Sequence, residues 1–271
     1  MRKKLLILLF AVLILGMCVG CTSGLLPGTD EPDPEPQPDD PNPVNTSRVV
    51  MFELFEGSAC SLCAGVHPDI VRLRKEYGFD ELVILEEYGL DGTYTGWGVY
   101  DVRKRFIEYR KYTNDSSGYP NAYFNGVNQT VHQENRGYVN YKTAIEKELA
   151  KPAKITISAA YSVNGQVVNI KGNITNISSD ILSSLAVEAM VYEDSVYSEY
   201  RRYNVDHVVR DVITYEETGG EELIASFAPE DSYEFSLTSS SLGNVHDMSN
   251  IHVVVYVQSS TKEILQALYV N

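Results

Sequence analysis

The sequence predicts an α/β domain followed by an all-β sandwich domain. In the first half, a β-branched and aromatic run at residues 49–55 gives way to apolar residues at helical spacing over residues 66–77. In the second half, short segments alternate apolar and polar residues with period two, and no helical run interrupts them. Because the periodicity changes beside Pro152, we expect one domain at residues 48–151 and another at residues 152–271.

The first domain is expected to mix strands and helices. A buried strand at residues 82–85 follows the first helix, and a glycine-rich loop leads to an amphipathic helix at residues 97–112. Two short strands at residues 122–124 and 128–132 flank an Asn-Gly turn. A last helix ends at Pro152, since proline cannot continue a helix.

The second domain is expected to be an immunoglobulin-like β-sandwich. Alternating segments on either side of Asn164-Gly165 are typical of a hairpin. Five further segments have strand character, which makes seven short strands without a helix: residues 185–191, 223–227, 233–237, 251–257 and 264–270. Between them, residues 195–212 are predicted to form a long tyrosine- and arginine-rich loop, which either binds a ligand or packs back onto the sandwich.

A Cys-x-x-Cys pair, Cys60 and Cys63, lies where the first strand meets the first helix. The free N–H groups and partial positive charge of a helix start stabilise a thiolate, so we expect Cys60 to ionise readily. Cys63 is within reach to close an intramolecular disulfide. The alternatives are a static disulfide and a zinc site. Zinc takes about four ligands and only His67 joins the cysteines locally, so we expect no metal.

Three features of this stretch resemble the thioredoxin superfamily. Glu53-Leu54-Phe55 precedes the Cys-x-x-Cys pair, and Pro68 lies five residues after Cys63. Residues 118–126 have the Gly-x-Pro, short strand and Asn-Gly pattern of the loop that faces the disulfide in that superfamily. The resemblance implies a thioredoxin-like domain in which Pro120 is cis and lies opposite the cysteines.

The same resemblance implies a role for each residue of the site. Cys60 would form a mixed disulfide with the substrate, and Cys63 would resolve it. Pro120 would shape the substrate groove, while the backbone of Tyr119 would pair with an extended substrate segment. The helix at residues 97–112 would be a helical insertion, as in exported members of the superfamily.

Acidic residues near the cysteines bear on the direction of the reaction. In the superfamily, a buried acid six residues before the first cysteine assists proton transfer. Leu54 holds that position here, and the adjacent Glu53 is our candidate for the acid. Negative charge on Glu56, Glu86 and Glu87 would disfavour a thiolate, and the two residues between the cysteines add no positive charge. We therefore favour a reductase or isomerase over an oxidase.

The N-terminus indicates export. Three basic residues precede an apolar run at residues 5–15, which is too short to span a bilayer and is typical of a signal peptide over residues 1–20. Cys18-Val19-Gly20-Cys21 resembles a lipoprotein signal, which implies lipid on Cys21 and membrane attachment without a spanning helix. A plain signal peptide is the alternative. Residues 21–47 are rich in proline and aspartate and are predicted to form an extended tether.

Cysteine count and charge narrow the class of protein. Of the four cysteines, one is expected to leave with the signal peptide and one to take lipid. The remaining pair is therefore expected to be a redox site rather than a structural disulfide. The formal net charge of −15 becomes −18 without the three basic residues of the signal peptide. A chain this acidic is not expected to bind nucleic acid or an anionic bilayer through charge.

With both domains in place, the chain resembles outer-membrane-associated thioredoxin-like lipoproteins with a C-terminal β-sandwich. Residues 206–212 are similar to a loop segment of that group. The resemblance implies a location outside the cytoplasm, on the periplasmic face of a membrane or on the cell surface.

We therefore predict a membrane-tethered, extracytoplasmic thiol–disulfide oxidoreductase that needs no cofactor. Its partners would be exported proteins with thiols or disulfides and a membrane redox partner. One alternative is a surface binding lipoprotein in which the thioredoxin-like unit is a scaffold. Another is copper or heme delivery through Cys60, Cys63 and His67.

Overall fold

The computed structural model describes residues 45–89, 97–213 and 224–270. The predicted signal peptide, the lipidated Cys21 and most of the tether lie outside these residues. The helices are α1 (Ser61–Ala64), α2 (His67–Glu76), α3 (Tyr100–Thr113) and α4 (Tyr138–Leu149), with 3-10 turns at Gln133–Asn135 and Met248–Asn250. No helix in the described ranges is long and apolar enough to cross a bilayer.

The strands are short and make up most of the regular structure. They are β1 (Val50–Glu56), β2 (Leu82–Tyr88), β3 (Asn121–Phe124), β4 (Gln129–Val131), β5 (Ile155–Asn164), β6 (Val167–Asn176), β7 (Leu185–Glu193), β8 (Val196–Ser198), β9 (Tyr203–Val205), β10 (Val208–Ile213), β11 (Ser232–Thr238), β12 (Ile251–Ser259) and β13 (Ile264–Val270).

Strand β1 organises the first half of the fold. It pairs in parallel with β2 and antiparallel with β3, and β4 pairs with β3. Side chains of a strand alternate between its two faces. Phe52 and Leu54 accordingly pack against α2 and α4, whereas Met51 and Phe55 pack against α3. Helices therefore cover both faces of this part of the sheet.

The main sheet continues into the second half of the chain. Its eight strands have the order β13-β12-β7-β10-β2-β1-β3-β4. Strand β10 lies parallel to β2, with Val208 opposite Glu86, and the N–H of Glu86 donates to the carbonyl of His207 over 2.8 Å. The boundary predicted between residues 151 and 152 falls between α4 and β5, while the sheet crosses it. The described residues belong to one compact unit, and the division into two domains stays a prediction.

A second contact ties the start of β1 to the far end of the chain. The guanidinium of Arg48 donates to the carbonyls of Ile264 and Leu265. The N–H of Val49 donates over 2.9 Å to the side chain of Gln266. The residues just before β1 are therefore joined to β13 by hydrogen bonds between side chains and backbone.

Three strands outside the main sheet form a second layer. Strands β5, β6 and β11 make a three-stranded antiparallel sheet that packs against β7, β12 and β13 of the main sheet. The shared core is aliphatic and aromatic, with Ile157, Ile170 and Phe235 on one side and Val191 and Val255 on the other. Two packed sheets bury the alternating apolar residues that the sequence shows in this half.

The prediction of a long loop at residues 195–212 is wrong. Strands β8 and β9 form a hairpin there, with Val196 opposite Val205, and β10 follows at once. Arg202 and His207 have positive φ angles of 61° and 62°, so the chain turns sharply between these strands. Such turns cut the apolar pattern into pieces too short to show period two.

Candidate redox site

Cys60 and Cys63 lie at the end of β1, where the chain enters α1. They form a disulfide, with Cα atoms 5.2 Å apart. Cys60 is the N-cap of α1, and its Sγ accepts a hydrogen bond from the N–H of Cys63 over 3.1 Å. Cys60 is half-buried, whereas Cys63 is fully buried. One residue of the pair is therefore partly exposed, and the other is covered.

The loop before β3 brings Tyr119 to this disulfide. The peptide bond between Tyr119 and Pro120 is cis, as expected from the sequence. The carbonyl oxygen of Tyr119 lies 3.9 Å from Sγ of Cys60 and accepts a hydrogen bond from Nε2 of Gln133. The tyrosine ring stacks on Phe106 of α3, with ring centroids 5.1 Å apart. These contacts fix the loop beside Cys60.

Asp115 holds the loop that precedes Pro120. Its carboxylate accepts hydrogen bonds from the N–H of Ser117 (2.7 Å) and from the side chain of Asn121, and Nδ1 of His132 lies 3.2 Å away. Burial opposes ionisation, but the bonds from Ser117 and Asn121 prevail and lower the pKa of Asp115. One carboxylate thus joins both ends of the loop to the segment after β4.

A buried pair of acids lies on the face of the sheet that carries α2. Glu56 ends β1, Glu86 lies in β2, and each is 1% exposed. The hydroxyl of Tyr88 lies 2.6 Å from Oε2 of Glu56 and 2.8 Å from Oε2 of Glu86. Arg201, from the turn between β8 and β9, donates to Glu56 over 2.7 Å and lies 3.6 Å from Glu86. A side chain from the second half therefore completes this cluster.

The two acids differ in their readiness to ionise. Burial, followed by the charge of Glu86, raises the pKa of Glu56 to about 8, although Arg201 opposes the shift. Burial also opposes ionisation of Glu86, but His67 and Arg201 prevail and lower its pKa. His67 begins α2, four residues after Cys63, and its Nδ1 lies 3.8 Å from Glu86. At neutral pH, Glu86 is thus ionised and Glu56 is protonated.

Glu53, the acid suggested by the family resemblance, faces the other side of β1. Nε of Arg105 donates to its Oε1, and the hydroxyl of Tyr109 donates to its Oε2 over 3.0 Å. Both donors come from α3. The structure thus assembles four of the five predicted site residues at one place and puts Glu53 on the α3 face; those four are Cys60, Cys63, Tyr119 and Pro120.

Two residues that the structure brings to this region, Arg201 and Gln133, were not predicted from the sequence. Arg201 lies in a segment predicted to be a loop, and its partner Glu56 is 145 positions away, so no local pattern relates them. Gln133 follows a short strand and belongs to no motif. Across residues 45–89, 97–213 and 224–270, no group of three or more His, Cys, Asp or Glu side chains is placed to hold a metal ion.

Comparisons with known proteins identify the fold. No family model and no curated protein matches the chain. Among solved structures, HBP35 of Porphyromonas gingivalis is similar, with a TM-score of 0.65 and 14% identity over 82% of this chain and 74% of that chain. A protein from Agrobacterium tumefaciens has a TM-score of 0.52 and 15% identity over 83% of this chain and 94% of that chain.

A domain of the outer membrane lipoprotein Omp28 from Porphyromonas gingivalis has a TM-score of 0.29 and 18% identity, over 44% of this chain and 88% of that chain. A TM-score this low does not establish a shared fold. The likeness to HBP35 shows the fold alone, since identity is low. The chain therefore has a thioredoxin-like fold with a large mixed sheet, and it shares this fold with HBP35.

Proposed function

We propose that this chain is a membrane-tethered, extracytoplasmic thiol–disulfide oxidoreductase acting through Cys60 and Cys63. The observation that carries the proposal is the asymmetry of the pair: Cys60 is half-buried beside the carbonyl of Tyr119, whereas Cys63 is fully buried. An attacking thiol has to reach its substrate, and a resolving thiol has to be held back until the mixed disulfide has formed.

The reaction follows from these positions. In the reduced protein, the Cys60 thiolate attacks one sulfur of a substrate disulfide, and the other substrate sulfur leaves as a thiolate that takes a proton. The Cys63 thiol then loses its proton and attacks Sγ of Cys60. This step closes the Cys60–Cys63 disulfide and releases the second substrate thiol. A membrane redox partner that supplies two electrons and two protons restores the dithiol.

The substrates we propose are exported proteins with thiols or disulfides. Their extended segments would pair with the backbone of Tyr119, next to the cis Pro120. The charge near the site supports a reductase or isomerase. Glu86 is ionised, and the positive charge of Arg201 is shared between Glu56 and Glu86, so little positive charge is left to stabilise a thiolate. For the acid that assists proton transfer, Glu56 fits better than Glu53, since it ends β1 four residues before Cys60, whereas Glu53 is paired with Arg105 of α3.

The proposal extends to architecture and location. Helix α3 would be a helical insertion between β2 and β3, and the two packed sheets of the second half would be the immunoglobulin-like sandwich. Lipid on Cys21 would hold the folded part at the membrane through the tether. Replacing Cys21 by serine should then move the protein from the membrane fraction to the soluble exported pool, and unchanged membrane association would contradict lipid attachment at Cys21.

Trapping of mixed disulfides tests the enzymatic part. C63S lacks the resolving thiol, so it should accumulate mixed disulfides with exported proteins, whereas C60S should trap few or none. S61A, between the two cysteines, is the matched control and should behave like the wild type. If neither cysteine variant traps a partner, and the wild type reduces no protein disulfide such as that of insulin, the oxidoreductase function is wrong.

A surface binding lipoprotein is the second candidate. Tyr197 on β8 is 59% exposed, and Leu62, between the cysteines, is 40% exposed. Exposed aromatic and apolar side chains of this kind are common in protein interfaces. Binding of exported proteins that survives in a C60S/C63S double variant and is lost in Y197A would favour this candidate over the enzyme.

A further inference from the structure

The carbonyl of Tyr119 is already engaged by a side chain of this protein. Nε2 of Gln133 donates a hydrogen bond to it, and Sγ of Cys60 lies 3.9 Å from the same oxygen. A carbonyl oxygen has two lone pairs, and Gln133 takes one of them; Sγ of Cys60, which carries no hydrogen in the disulfide, lies beside the oxygen without donating to it. An extended polypeptide that pairs with this backbone would donate one of its own N–H groups to the same oxygen.

The group that Gln133 presents is chemically the group that a substrate would present. Its side chain is a primary amide, and a peptide N–H is a secondary amide with the same type of donor. We propose that Gln133 is a specificity-determining residue whose amide substitutes for a substrate N–H in the free protein and is displaced when a polypeptide binds. The proposal rests on the function proposed above.

The surroundings of Gln133 allow such an exchange. Its backbone is fixed independently of its side chain, because its carbonyl accepts a hydrogen bond from Nη1 of Arg136 over 2.7 Å. The side chain is half-buried, so it has a route to solvent. On the other side lies Gly118, where a Cβ atom would come within 3.7 Å of Nε2.

The exchange makes the site discriminate between substrates. A polypeptide with an N–H at the pairing position replaces the bond that it displaces. A polypeptide with a proline or an N-methyl group there displaces Gln133 without replacing the bond and leaves a carbonyl unpaired, which is costly. A small non-peptide disulfide that reaches Cys60 without pairing leaves Gln133 in place.

Kinetics of the full-length protein in detergent test the proposal. The substrates are a short peptide whose cysteine carries a mixed disulfide, the same peptide N-methylated at each neighbouring position in turn, and hydroxyethyl disulfide. In Q133A, KM for the unmethylated peptide should fall about two- to tenfold with kcat unchanged, because one competing hydrogen bond is gone. Hydroxyethyl disulfide, which leaves Gln133 in place, should show no such gain. The peptide methylated at the pairing position also displaces Gln133, so its KM should fall by a similar factor but stay above that of the unmethylated peptide in both proteins.

Two further variants separate the hydrogen bond from packing. Q133E keeps the size of the side chain but cannot donate when ionised, so it should lower the peptide KM as Q133A does. Q129A is the matched control, since Gln129 is a glutamine of the same segment whose side chain contacts Lys147 instead, and it should leave KM unchanged.

The opposite result overturns the proposal. A higher peptide KM in Q133A would mean that Gln133 binds substrate directly, and equal changes for the peptide and for hydroxyethyl disulfide would mean that it only supports the loop. A wild type that turns over neither substrate would instead refute the oxidoreductase function itself.

Discussion

Arg201 lies 2.7 Å from Glu56, so the hairpin of β8 and β9 supplies a charge to the end of the strand that leads to the cysteines. Both side chains are buried, and Glu86 lies 3.6 Å from the same guanidinium. A buried ion pair adds little net stability compared with apolar residues, but removing one partner leaves a charge without compensation. The cluster therefore ties the end of β1, four residues before Cys60, to the second half of the chain.

Removing Arg201 should be strongly destabilising. R201M should lower the free energy of unfolding by about 3–5 kcal/mol, because Glu86 would remain buried and ionised without its arginine. The matched control is R202M, since Arg202 is the adjacent, exposed arginine, and it should cost less than about 0.5 kcal/mol. Urea denaturation measures both. Equal effects of the two substitutions would refute the role of Arg201.

The raised pKa of Glu56 should make stability depend on pH. Between pH 4.5 and about 8, the unfolded chain releases the proton of Glu56 while the folded protein keeps it. Rising pH therefore favours the unfolded state over this range, and the contribution of Glu56 is fully present below pH 4.5 and lost at about pH 8.

Other buried groups also titrate, so the comparison has to be with E56Q. The free energy of unfolding of the wild type, minus that of E56Q, should fall steadily over this pH range and level off above it. Urea denaturation at several pH values measures this difference. A difference that does not change with pH would show that Glu56 has an ordinary pKa in the folded protein.

The two cysteines should differ in reactivity after reduction. Limiting iodoacetamide near neutral pH should label Cys60 on the order of ten times faster than Cys63, since reactivity follows thiolate fraction and access. Peptide mapping by mass spectrometry gives the ratio. Labelling in urea is the control and should remove the difference; equal rates in the folded protein would reverse the assignment of attacking and resolving thiols.

A fragment of residues 48–151 tests the predicted boundary. It retains the cysteines and Pro120 but loses β10, which pairs with β2, and Arg201. We expect this fragment to lack a cooperative thermal transition, because the edge of β2 and two buried acids would be uncovered. Circular dichroism on heating measures the transition, with the chain from residue 48 to its C-terminus as the control. A cooperative transition in the fragment would show that the first half folds alone.

Local features of the fold were predictable from the sequence. The strand before Cys60 and the helix after Cys63 each have their own periodicity, and the loop at Pro120 has a recognisable motif. The pairing of β10 with β2 was not predictable in the same way. Buried parallel strands are short apolar runs, and the sequence of such a run does not specify which strand it will pair with.

The residues of the site likewise divide into those that a local motif predicts and those that only the tertiary fold brings together. Cys60, Cys63, Tyr119 and Pro120 follow from two motifs, and the structure puts them together. Counting back from the cysteines leads to Leu54, and Glu53 was chosen as the acid next to that position; a shift of one residue in a strand moves a side chain to the other face. Glu56 and Glu86 were noted as charges, but their protonation depends on Arg201, whose position only the tertiary fold determines.

The separation of Glu56 and Arg201 by 145 positions also sets an order of events during synthesis. A ribosome adds about 5–20 residues per second, so the cysteines emerge roughly 7–30 s before the arginine that completes their surroundings. Ring closure between residues three apart is far easier than closure across so long a loop. We expect the nascent chain to meet the oxidants of its compartment with its thiols uncovered, and the disulfide to precede the closing of the sheet.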